Sequence, residues 1–438
     1  MTLGAALPRV TTPVPGPRSR ALGARLARVE SRNVTRIDEA GPIFWTDAAG
    51  ANVRDADGNI YVDLTAGFGV AAAGHAEAGV GRAVAEQASR LMHALGDVHP
   101  AAVKVELLER LAALAPGDLS VSILSASGSD AVESAWKTAT LATGRPGIVA
   151  FRGGYHGLGF GALALTHDAR FRQPFRRQLY AGVRFAAFPD PGRGNGAAAS
   201  LEEVRRHIAD AGGGPDAVGA VFVEPVQGRG GINVPPADFL PALRQLCTEL
   251  GVLLVLDEVY TGFGRTGRWF ACEHWDIEPD LLVVGKALAG GLPLSAVIGT
   301  PAIMQAWPAS EGEALHTSTF LGNPVACAAA LAQLRAIEQG GLVARAASLG
   351  RWLRGRLDAL AGRSGVQGSR GLGLMQALVF GGPDGAERAL RVAGAALGAG
   401  VIVLTEGPAL AFTPPLTITE AQLEAALRVI ERALAREG

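Results

Sequence analysis

The sequence predicts an α/β fold, with a mostly parallel sheet in a large domain and a smaller α+β domain. Two observations lead to this prediction. Short apolar runs rich in Val, Leu and Ile alternate with helix-like stretches, which is typical of parallel sheets that are covered on both faces. Near residue 325 the pattern changes to long helices rich in Ala, Leu and Arg. We therefore expect an N-terminal segment at residues 1–75, a large domain at 76–325 and a small domain at 326–438.

The start of the chain is rich in basic residues. The first thirty residues contain five arginines and no acidic residue before Glu30, a composition that resembles a transit peptide. The alternative, which we favour, is a flexible start that is broken by Pro13, Pro15 and Pro17 and is followed by a short amphipathic helix.

After this start, the predicted strands and helices follow in order. The run PIFWTDAAGANVRDADGNIYVDL predicts a hairpin with Asp57-Gly58 at its turn, and we expect this hairpin to pack with the small domain. The large domain contains the strand-like runs SVSILSAS, GIVAF, AVGAVFVEP, GVLLVLDEV and DLLVVGKA. In the small domain, ACAAALAQLRAIEQ and LGRWLRGRLDALAG predict helices, whereas GLGLMQALVF and LAFTPPLTI predict strands.

Composition and charge exclude several classes of function. A formal net charge of -1, with no block of like charges, gives no reason to expect binding to nucleic acid or to an anionic membrane. The longest apolar stretches are shorter than the ~20 residues needed to span a bilayer. The widely spaced Cys247, Cys272 and Cys327 lack any metal-ligand pattern. We therefore expect reduced thiols, no metal site and a cytoplasmic location.

Polar residues follow five of the predicted strands. These residues are Ser127-Gly128-Ser129, Tyr155-His156, Glu224, Asp257 and Lys286. Because ligands of such sheets bind at the carboxyl ends of the strands, we expect these residues to meet in one site. Taken singly, each has an ordinary structural explanation, such as a helix cap, a surface pair or a buried carboxylate with a backbone partner.

Lys286 is the most informative of these residues. The chain has three lysines, whereas arginine supplies nearly all of its positive charge. An amine that follows the apolar run LLVV is more easily deprotonated and can then attack a carbonyl, which a guanidinium cannot do. Lys104 and Lys137 lie on helical patterns and are most simply solvated side chains. Lys286 is therefore the best candidate for a Schiff-base lysine.

A lysine that bonds an aldehyde cofactor needs three kinds of support. Gly128 and Ser129, at the start of a helix, can anchor a phosphate through backbone N–H groups and a hydroxyl. Asp257 can keep a ring nitrogen protonated, so that the ring acts as an electron sink. Tyr155 can cover the face of that ring. These requirements are those of pyridoxal 5'-phosphate (PLP).

Six segments, in this order along the chain, resemble the class III (ornithine/4-aminobutyrate type) PLP-dependent aminotransferases. They are SASGSDAVESAWK, FRGGYHG, VEPVQGRGG, LDEVYTGFGRTG, VGKALAGGLP and HTSTFLGNPVACAAA. The similarity runs from about residue 40 to the C-terminus. It implies the fold-type I (aspartate-aminotransferase-like) architecture, with PLP bound in the large domain.

The resemblance also implies which residues hold the cofactor. This set comprises Ser127, Gly128, Ser129, Tyr155, His156, Glu224, Asp257, Val259, Tyr260, Lys286 and Thr319. Lys286 is expected to form the Schiff base and then to act as the general acid and base. Asp257 is expected to pair with the ring nitrogen, with Glu224 in support. Thr319 is expected to bind the phosphate in the site of the other subunit, which implies a homodimer.

Two further contacts and three departures concern the ring and the substrate. Tyr155 and Val259 are expected to cover opposite faces of the ring. Tyr260 stands where many members of the family carry Gln. Ala411 stands where members that use α-amino acids carry an arginine for the carboxylate. Arg229 replaces the Glu that gates this arginine in many members, and it either binds a carboxylate itself or is a solvated loop residue.

The sequence therefore predicts an aminotransferase that moves an amino group between an amine or amino acid and an aldehyde or 2-oxo acid. We expect it to favour terminal amines, ω-amino acids or aldehydes. The alternative on the same fold is an isomerase, which is an aminomutase or an amino-acid racemase. A catalytically silent scaffold and a nucleotide-binding domain are less well supported. Lys286 and Asp257 argue against the scaffold, and no GxGxxG motif follows the first sheet strand to indicate nucleotide binding.

Overall fold

Fifteen strands and fourteen α-helices lie within residues 3–38, 41–190 and 194–437, which are the residues that the computed structural model describes. The strands are β1 (Trp45–Ala49), β2 (Asn52–Asp55), β3 (Ile60–Asp63), β4 (Val121–Ser125), β5 (Gly147–Phe151), β6 (Val183–Ala186), β7 (Val218–Val223), β8 (Leu253–Asp257), β9 (Leu281–Val284), β10 (Ser295–Gly299), β11 (Val366–Leu372), β12 (Met375–Phe380), β13 (Val401–Ile402), β14 (Leu404–Thr405) and β15 (Ala409–Phe412). The helices are α1 (Pro17–Leu26), α2 (Ala66–Gly69), α3 (Ala78–Arg90), α4 (Ala102–Leu114), α5 (Gly128–Thr143), α6 (Phe160–Leu165), α7 (Ala169–Arg172), α8 (Ala197–Ala211), α9 (Phe239–Leu250), α10 (Pro301–Met304), α11 (Pro324–Gln339), α12 (Leu342–Asp358), α13 (Gly385–Gly398) and α14 (Glu420–Ala435).

The chain forms two compact units. One is Ala78–Ala344, and the other combines Met1–Glu77 with Arg345–Gly438. The domain boundary predicted from the sequence, between residues 325 and 326, differs from this division. It falls inside α11. This helix has a largely buried, alanine-rich surface and packs against α3 and α4 of the Ala78–Ala344 unit.

The Ala78–Ala344 unit contains a seven-stranded sheet with the order β4-β10-β9-β8-β7-β5-β6. Strands β9, β8, β7, β5 and β6 run parallel to one another, whereas β10 runs antiparallel to both β9 and β4. Every residue of β5, β7 and β9 is buried, as expected for a sheet with both faces covered. The predicted α/β fold with a mostly parallel sheet is confirmed. Strands β6 and β10 were not predicted.

Helix α5 forms part of the cover over one face of this sheet. Its buried alanine and valine residues pack in one core cluster with Phe222, Val255 and Val283 of the sheet. Full burial of a valine or phenylalanine side chain in this cluster stabilises the fold by about 1.5–3 kcal/mol. The helix starts after Ser127, whose side chain accepts a hydrogen bond from Asp130 N, and it ends at Gly144, which has a φ of 66°.

The other unit contains two four-stranded sheets, ordered β1-β2-β3-β13 and β11-β12-β15-β14. Strands β2 and β3 form the predicted hairpin around Asp57-Gly58, but β1 adds a second hairpin, so that a three-stranded meander results. Strand β3 also pairs in parallel with β13, near the C-terminus.

From residue 3 onward, the N-terminal segment that the sequence predicted to be flexible makes hydrogen bonds to the rest of its unit. Helix α1 matches the predicted short helix, and the carboxylate of Asp57 accepts hydrogen bonds from the backbone N–H groups of Arg18 and Ser19 at 2.7 and 2.9 Å. A Cβ atom on Gly16 would lie 2.3 Å from Asp57 Cγ, so glycine is required for this contact. Asp57 thus acts as a helix cap as well as a turn residue.

Within the described ranges, no helix combines the length and the apolar character that a membrane crossing requires.

Candidate active site

A cavity of about 330 Å³ lies at the carboxyl ends of β5, β7, β8 and β9. Its lining residues are Ser127, Gly128, Ser129, Tyr155, His156, Gly157, Leu158, Glu224, Arg229, Asp257, Val259, Tyr260 and Lys286. The structure therefore brings together every site residue expected from the sequence except Thr319 and Ala411. Thr319 is an exposed residue ahead of α11. Ala411 is buried in β15 of the other unit.

One side of the cavity is formed by the N-terminus of α5. The Ser129 hydroxyl accepts hydrogen bonds from Leu158 N at 2.9 Å and from Gly159 N at 3.3 Å, which joins the helix to the loop after Tyr155. A Cβ atom on Gly157, whose φ is +128°, would lie 2.0 Å from this hydroxyl oxygen. The backbone N–H groups of a helix N-terminus, together with a serine hydroxyl, form a suitable site for a phosphate.

A buried carboxylate lies at the end of β8. Asp257 Oδ2 is 2.7 Å from Nδ1 of His156, and the two side chains are 4% and 1% exposed. The other carboxylate oxygen accepts a hydrogen bond from Val259 N at 3.0 Å. Burial alone would lower the pKa of His156, but the hydrogen bond to Asp257 and the charges of Asp257 and Glu224 outweigh it, so this pKa is raised. The imidazole therefore favours its charged form beside Asp257.

A second buried carboxylate, Glu224, follows β7. Its Oε1 accepts a hydrogen bond from Tyr155 N at 2.9 Å, and its Oε2 accepts one from Gly228 N at 3.0 Å. Burial raises the pKa of Glu224 to about 7, with a contribution from Asp257, although His156 and the two backbone N–H groups oppose the shift. Glu224 thus holds two loops of the cavity in place.

Lys286 follows β9 and begins a short 3-10 turn. Its φ of 38° lies in the left-handed region, which a residue with a side chain occupies only when its surroundings enforce it and which is common at functional sites. The amine nitrogen lies 4.0 Å from the centroid of the Tyr260 ring. This ring is packed so closely on Gly228 that a Cβ atom there would lie 2.4 Å from Tyr260 Cδ1. The Tyr260 ring thus lies beneath the amine.

The residues of this cavity fit PLP. The N-terminus of α5 suits the phosphate, the buried Asp257–His156 pair suits a protonated ring nitrogen, and Lys286 supplies an amine within the same cavity. Glycine at position 128 keeps the space next to the helix open, because a Cβ atom there would lie 3.2 Å from Val259 Cγ1. Within residues 3–38, 41–190 and 194–437, no cluster of His, Cys, Asp and Glu side chains could hold a metal ion.

Sequence reasoning missed three residues at this site. Gly157 and Leu158 line the cavity, and Phe171 packs against Tyr155 with ring centroids 5.9 Å apart. The position of Gly157 directly after Tyr155-His156 was an available signal. Phe171 has no such signal, because its contact depends on how the loop after α6 folds back.

Comparison with known proteins gives a consistent result. The family model described as aminotransferase class-III matches residues 34–434. An acetylornithine aminotransferase from Methanosarcina mazei is 34% identical, over 92% of this chain and 95% of its own. A putrescine aminotransferase from Pectobacterium atrosepticum is 36% identical, over 91% and 83%. An alanine/serine racemase from Pyrococcus horikoshii is 35% identical, over 98% and 92%.

Solved structures agree with these relatives. An amine transaminase from an uncultivated Pseudomonas species, in its PLP-bound form, has a TM-score of 0.85 and 32% identity, and covers 91% of this chain and 96% of its own. An (S)-enantioselective omega-transaminase from Thermomicrobium roseum has a TM-score of 0.89 and 29% identity, over 95% and 98%. The chain therefore belongs to the class-III aminotransferase family and is a PLP-dependent aminotransferase.

Proposed function

We propose that this aminotransferase moves an amino group from a terminal amine or ω-amino acid to an aldehyde or oxo acid, with Lys286 as the amine that bonds the aldehyde of the cofactor. The observation that carries the proposal is the convergence of three groups in one cavity. These groups are the Lys286 amine, the Asp257–His156 pair and the N-terminus of α5. No other lysine lines this cavity among the described residues.

Each group has a distinct task in this proposal. The bound cofactor supplies an electron sink for the carbon that carries the substrate nitrogen. Asp257, backed by His156, holds the proton on the ring nitrogen. Lys286 Nζ would accept and return the proton of the substrate carbon, as a general acid and base. Tyr155 and Val259 flank the ring, and Ser127, Gly128 and Ser129 hold the phosphate.

The substrate preference rests on Ala411. In the sequence resemblance, Ala411 occupies the position that implies an arginine for the α-carboxylate in members that use α-amino acids, and alanine supplies no such charge. A charge-assisted hydrogen bond to a carboxylate contributes about 1.5–3 kcal/mol. The names of two relatives, a putrescine aminotransferase and an amine transaminase, also support amines without an α-carboxylate as substrates.

An isomerase is the second candidate. It is favoured by the similarity to the alanine/serine racemase of Pyrococcus horikoshii. An isomerase needs the same lysine and the same ring carboxylate, so the cavity residues do not separate the two reactions.

We further propose a homodimer in which Thr319 completes the partner's site. Thr319 lies in a lobe that we define as residues 91–99 with residues 315–323. The two segments are joined by hydrogen bonds from Asn323 Nδ2 to Met92 O, at 3.1 Å, and from Thr317 Oγ1 to Asp97 Oδ2, also at 3.1 Å. The lobe exposes the large apolar side chains of Leu91, Met92, Leu95, Val98, Leu315 and Phe320. An exposed apolar patch of this kind supports the interpretation that the lobe forms an interface with a second copy of the chain.

We also propose a cytoplasmic location. It is supported by Cys247, Cys272 and Cys327, which are buried and form no disulfide.

A donor and acceptor screen tests the proposed reaction. The PLP-loaded protein is given pentylamine or 5-aminopentanoate, each with and without pyruvate, or L-alanine without an acceptor, and the amino acid and carbonyl products and the two enantiomers of alanine are quantified. We expect multiple turnovers from the first two donors only when pyruvate is present. Multiple turnovers of any donor to an isomer without an acceptor would identify an isomerase instead.

A further inference from the structure

Ser295, the first residue of β10, is buried between the strand that leads to Lys286 and the strand that leads to α5. Strand β10 pairs with both of these strands, β9 and β4. In the pairing with β4, Ser295 lies directly opposite Ser125. In the pairing with β9, the next residue, Ala296, lies opposite Val284, at the end of β9. Ser295 therefore stands where the lysine segment and the start of α5 come together.

The hydroxyl of Ser295 is hydrogen-bonded to the start of α5. It donates to Ser127 O at 2.6 Å, and the same carbonyl accepts a hydrogen bond from Ala131 N at 3.0 Å. The carbonyl of Ser127 and the N–H of Gly128 belong to one planar peptide unit, so a hydrogen bond that fixes the carbonyl also fixes the direction of the N–H. It polarises this peptide unit as well, which makes the N–H a stronger donor.

The Cβ atom of Ser295 contacts the lysine side of the cavity. A Cβ atom on Gly285, directly before Lys286, would lie 3.3 Å from Ser295 Cβ and 3.4 Å from Val259 Cγ1. Val259 also separates this glycine from Gly128, where an added Cβ atom would lie 3.2 Å from Val259 Cγ1. The hydrogen bond from Ser295 to the start of α5 closes this ring of contacts. The ring holds the N-terminus of α5 and the lysine segment at a fixed separation.

We infer that Ser295 is a positioning residue for the cofactor phosphate, which acts through the peptide unit between Ser127 and Gly128. Its hydroxyl orients the Gly128 N–H toward the phosphate and keeps this donor in register with Lys286. Ser295 is not among the described residues that line the cavity, so its effect is indirect. This inference rests on the proposed function, because it takes Gly128 as a phosphate contact and Lys286 as the cofactor amine.

The test compares two aldehydes that differ only in the phosphate group, PLP and pyridoxal. The readout is the ratio of their dissociation constants from the full chain, measured by absorbance titration. Ser295→Ala keeps the Cβ atom that packs on Gly285 and removes only the hydroxyl. We expect the preference for PLP over pyridoxal to fall by about three- to tenfold, because a single hydrogen bond to a phosphate donor is lost. The affinity for pyridoxal should change by less than about twofold.

Ser125→Ala is the matched control. Ser125 lies opposite Ser295 in the sheet, and both residues are 1% exposed. Its hydroxyl has no hydrogen-bond partner among the described residues, so its removal should leave the preference for PLP unchanged. Urea unfolding of both variants separates the two roles, because a general loss of stability would weaken the binding of PLP and pyridoxal alike.

Inorganic phosphate gives a second readout that needs no bond to a lysine. It competes with PLP for the N-terminus of α5, and its inhibition constant against PLP binding should rise by about three- to tenfold in Ser295→Ala but not in Ser125→Ala.

Two outcomes would overturn the inference. One is a preference for PLP in Ser295→Ala that stays within about twofold of wild type, and the other is an equal loss of this preference in Ser125→Ala. Failure of the proposed function would look different. If borohydride leaves Lys286 of the PLP-loaded wild type unmodified, the assignment of Lys286 fails, whereas competition by inorganic phosphate still decides the role of Ser295.

Discussion

The pairing of Asp257 with His156 is the contact that most strongly shapes the chemistry of the site. The two residues are 101 positions apart in the sequence. Each could be identified as a strand-end residue, because it follows an apolar run. Their hydrogen bond could not be predicted, since it depends on how β5 and β8 are placed within the same sheet. The sequence therefore identifies the residues of this site, but not the hydrogen bonds between them.

The first prediction concerns Asp257. Asp257→Asn keeps the shape but removes the charge that holds a proton on the ring nitrogen, so single-turnover rates should fall by roughly a hundredfold or more. Cofactor affinity should fall much less, because the phosphate contacts remain. The matched control is Glu258→Gln at the adjacent position, which replaces one of the two carboxylate oxygens that accept hydrogen bonds from Ala271 N and Cys272 N outside the cavity. This control should lower the free energy of unfolding, whereas its single-turnover rate should stay close to that of wild type. Single-turnover rates close to wild type in Asp257→Asn would show that another residue is the partner of the ring nitrogen.

The second prediction concerns the pKa of Glu224, which is raised to about 7. The native carboxyl keeps its proton up to that pH, whereas the unfolded one loses it near its ordinary value of 4.5. The free energy of unfolding should therefore fall as pH rises from about 5 to 8. The raised pKa of His156 acts in the same direction, as its stabilisation is lost when pH rises beyond the ordinary value of 6.5.

Glu224→Gln removes the titrating carboxyl and its charge beside His156. Urea unfolding of the cofactor-free protein should show that the stability of the variant, relative to wild type, increases between about pH 5 and pH 8 by on the order of 1 kcal/mol. If the difference in free energy of unfolding between variant and wild type stays constant across this range, Glu224 titrates as an ordinary carboxyl.

At the scale of elements, the site depends on the junction between α5 and the loop after Tyr155. Ser129 joins them by accepting hydrogen bonds from Leu158 N and Gly159 N. The sequence predicted the start of α5, because a serine cap and an apolar helix follow a strand. The close approach of Gly157 could not be predicted, since it is a contact between two distant segments.

The third prediction concerns Gly157. Gly157→Ala introduces a Cβ atom 2.0 Å from Ser129 Oγ at a φ of +128°. We expect the cofactor dissociation constant to rise by about tenfold or more, because the phosphate side of the cavity must shift. The control is Gly144→Ala at the other end of α5, where φ is also positive but nothing lies within 4 Å of the added atom. Absorbance titration with PLP should show weaker cofactor binding in Gly157→Ala only. Equal PLP affinities of the two variants would show that this junction does not contribute to cofactor binding.

Two of the strands that were not predicted, β6 and β10, lie in the seven-stranded sheet. Strand β6 is an edge strand of four residues that includes Arg184, so its apolar pattern is weak. Strand β10 is apolar, but it follows the Lys286 segment after a short Gly-rich stretch and has only five residues. Its antiparallel direction between β4 and β9 is set by the sheet as a whole. Short or edge strands depend on neighbours that local pattern does not reveal.

At the scale of the whole molecule, the proposed site requires two copies of the chain. The fourth prediction is that Phe320→Asp, in the lobe of residues 91–99 and 315–323, raises the dimer dissociation constant by about tenfold or more, because a charge enters an apolar interface. Leu390→Asp is the control, since Leu390 is a similarly exposed apolar residue on α13, outside the lobe. Sedimentation velocity over a range of concentrations measures both. A wild-type protein that sediments as a monomer throughout would contradict the proposed dimer.

The central claim is that Lys286 holds the cofactor, and the chain is well suited to a direct test because it has only three lysines. Borohydride reduction of the PLP-loaded protein converts a Schiff base into a stable secondary amine, and peptide mass mapping then locates the phosphopyridoxyl group. We expect this group on the peptide that contains Lys286, and we expect it to be absent from Lys286→Ala, which should also lose transamination. Stable labelling of Lys104 or Lys137 instead, or full transamination by Lys286→Ala, would contradict the proposed role of Lys286.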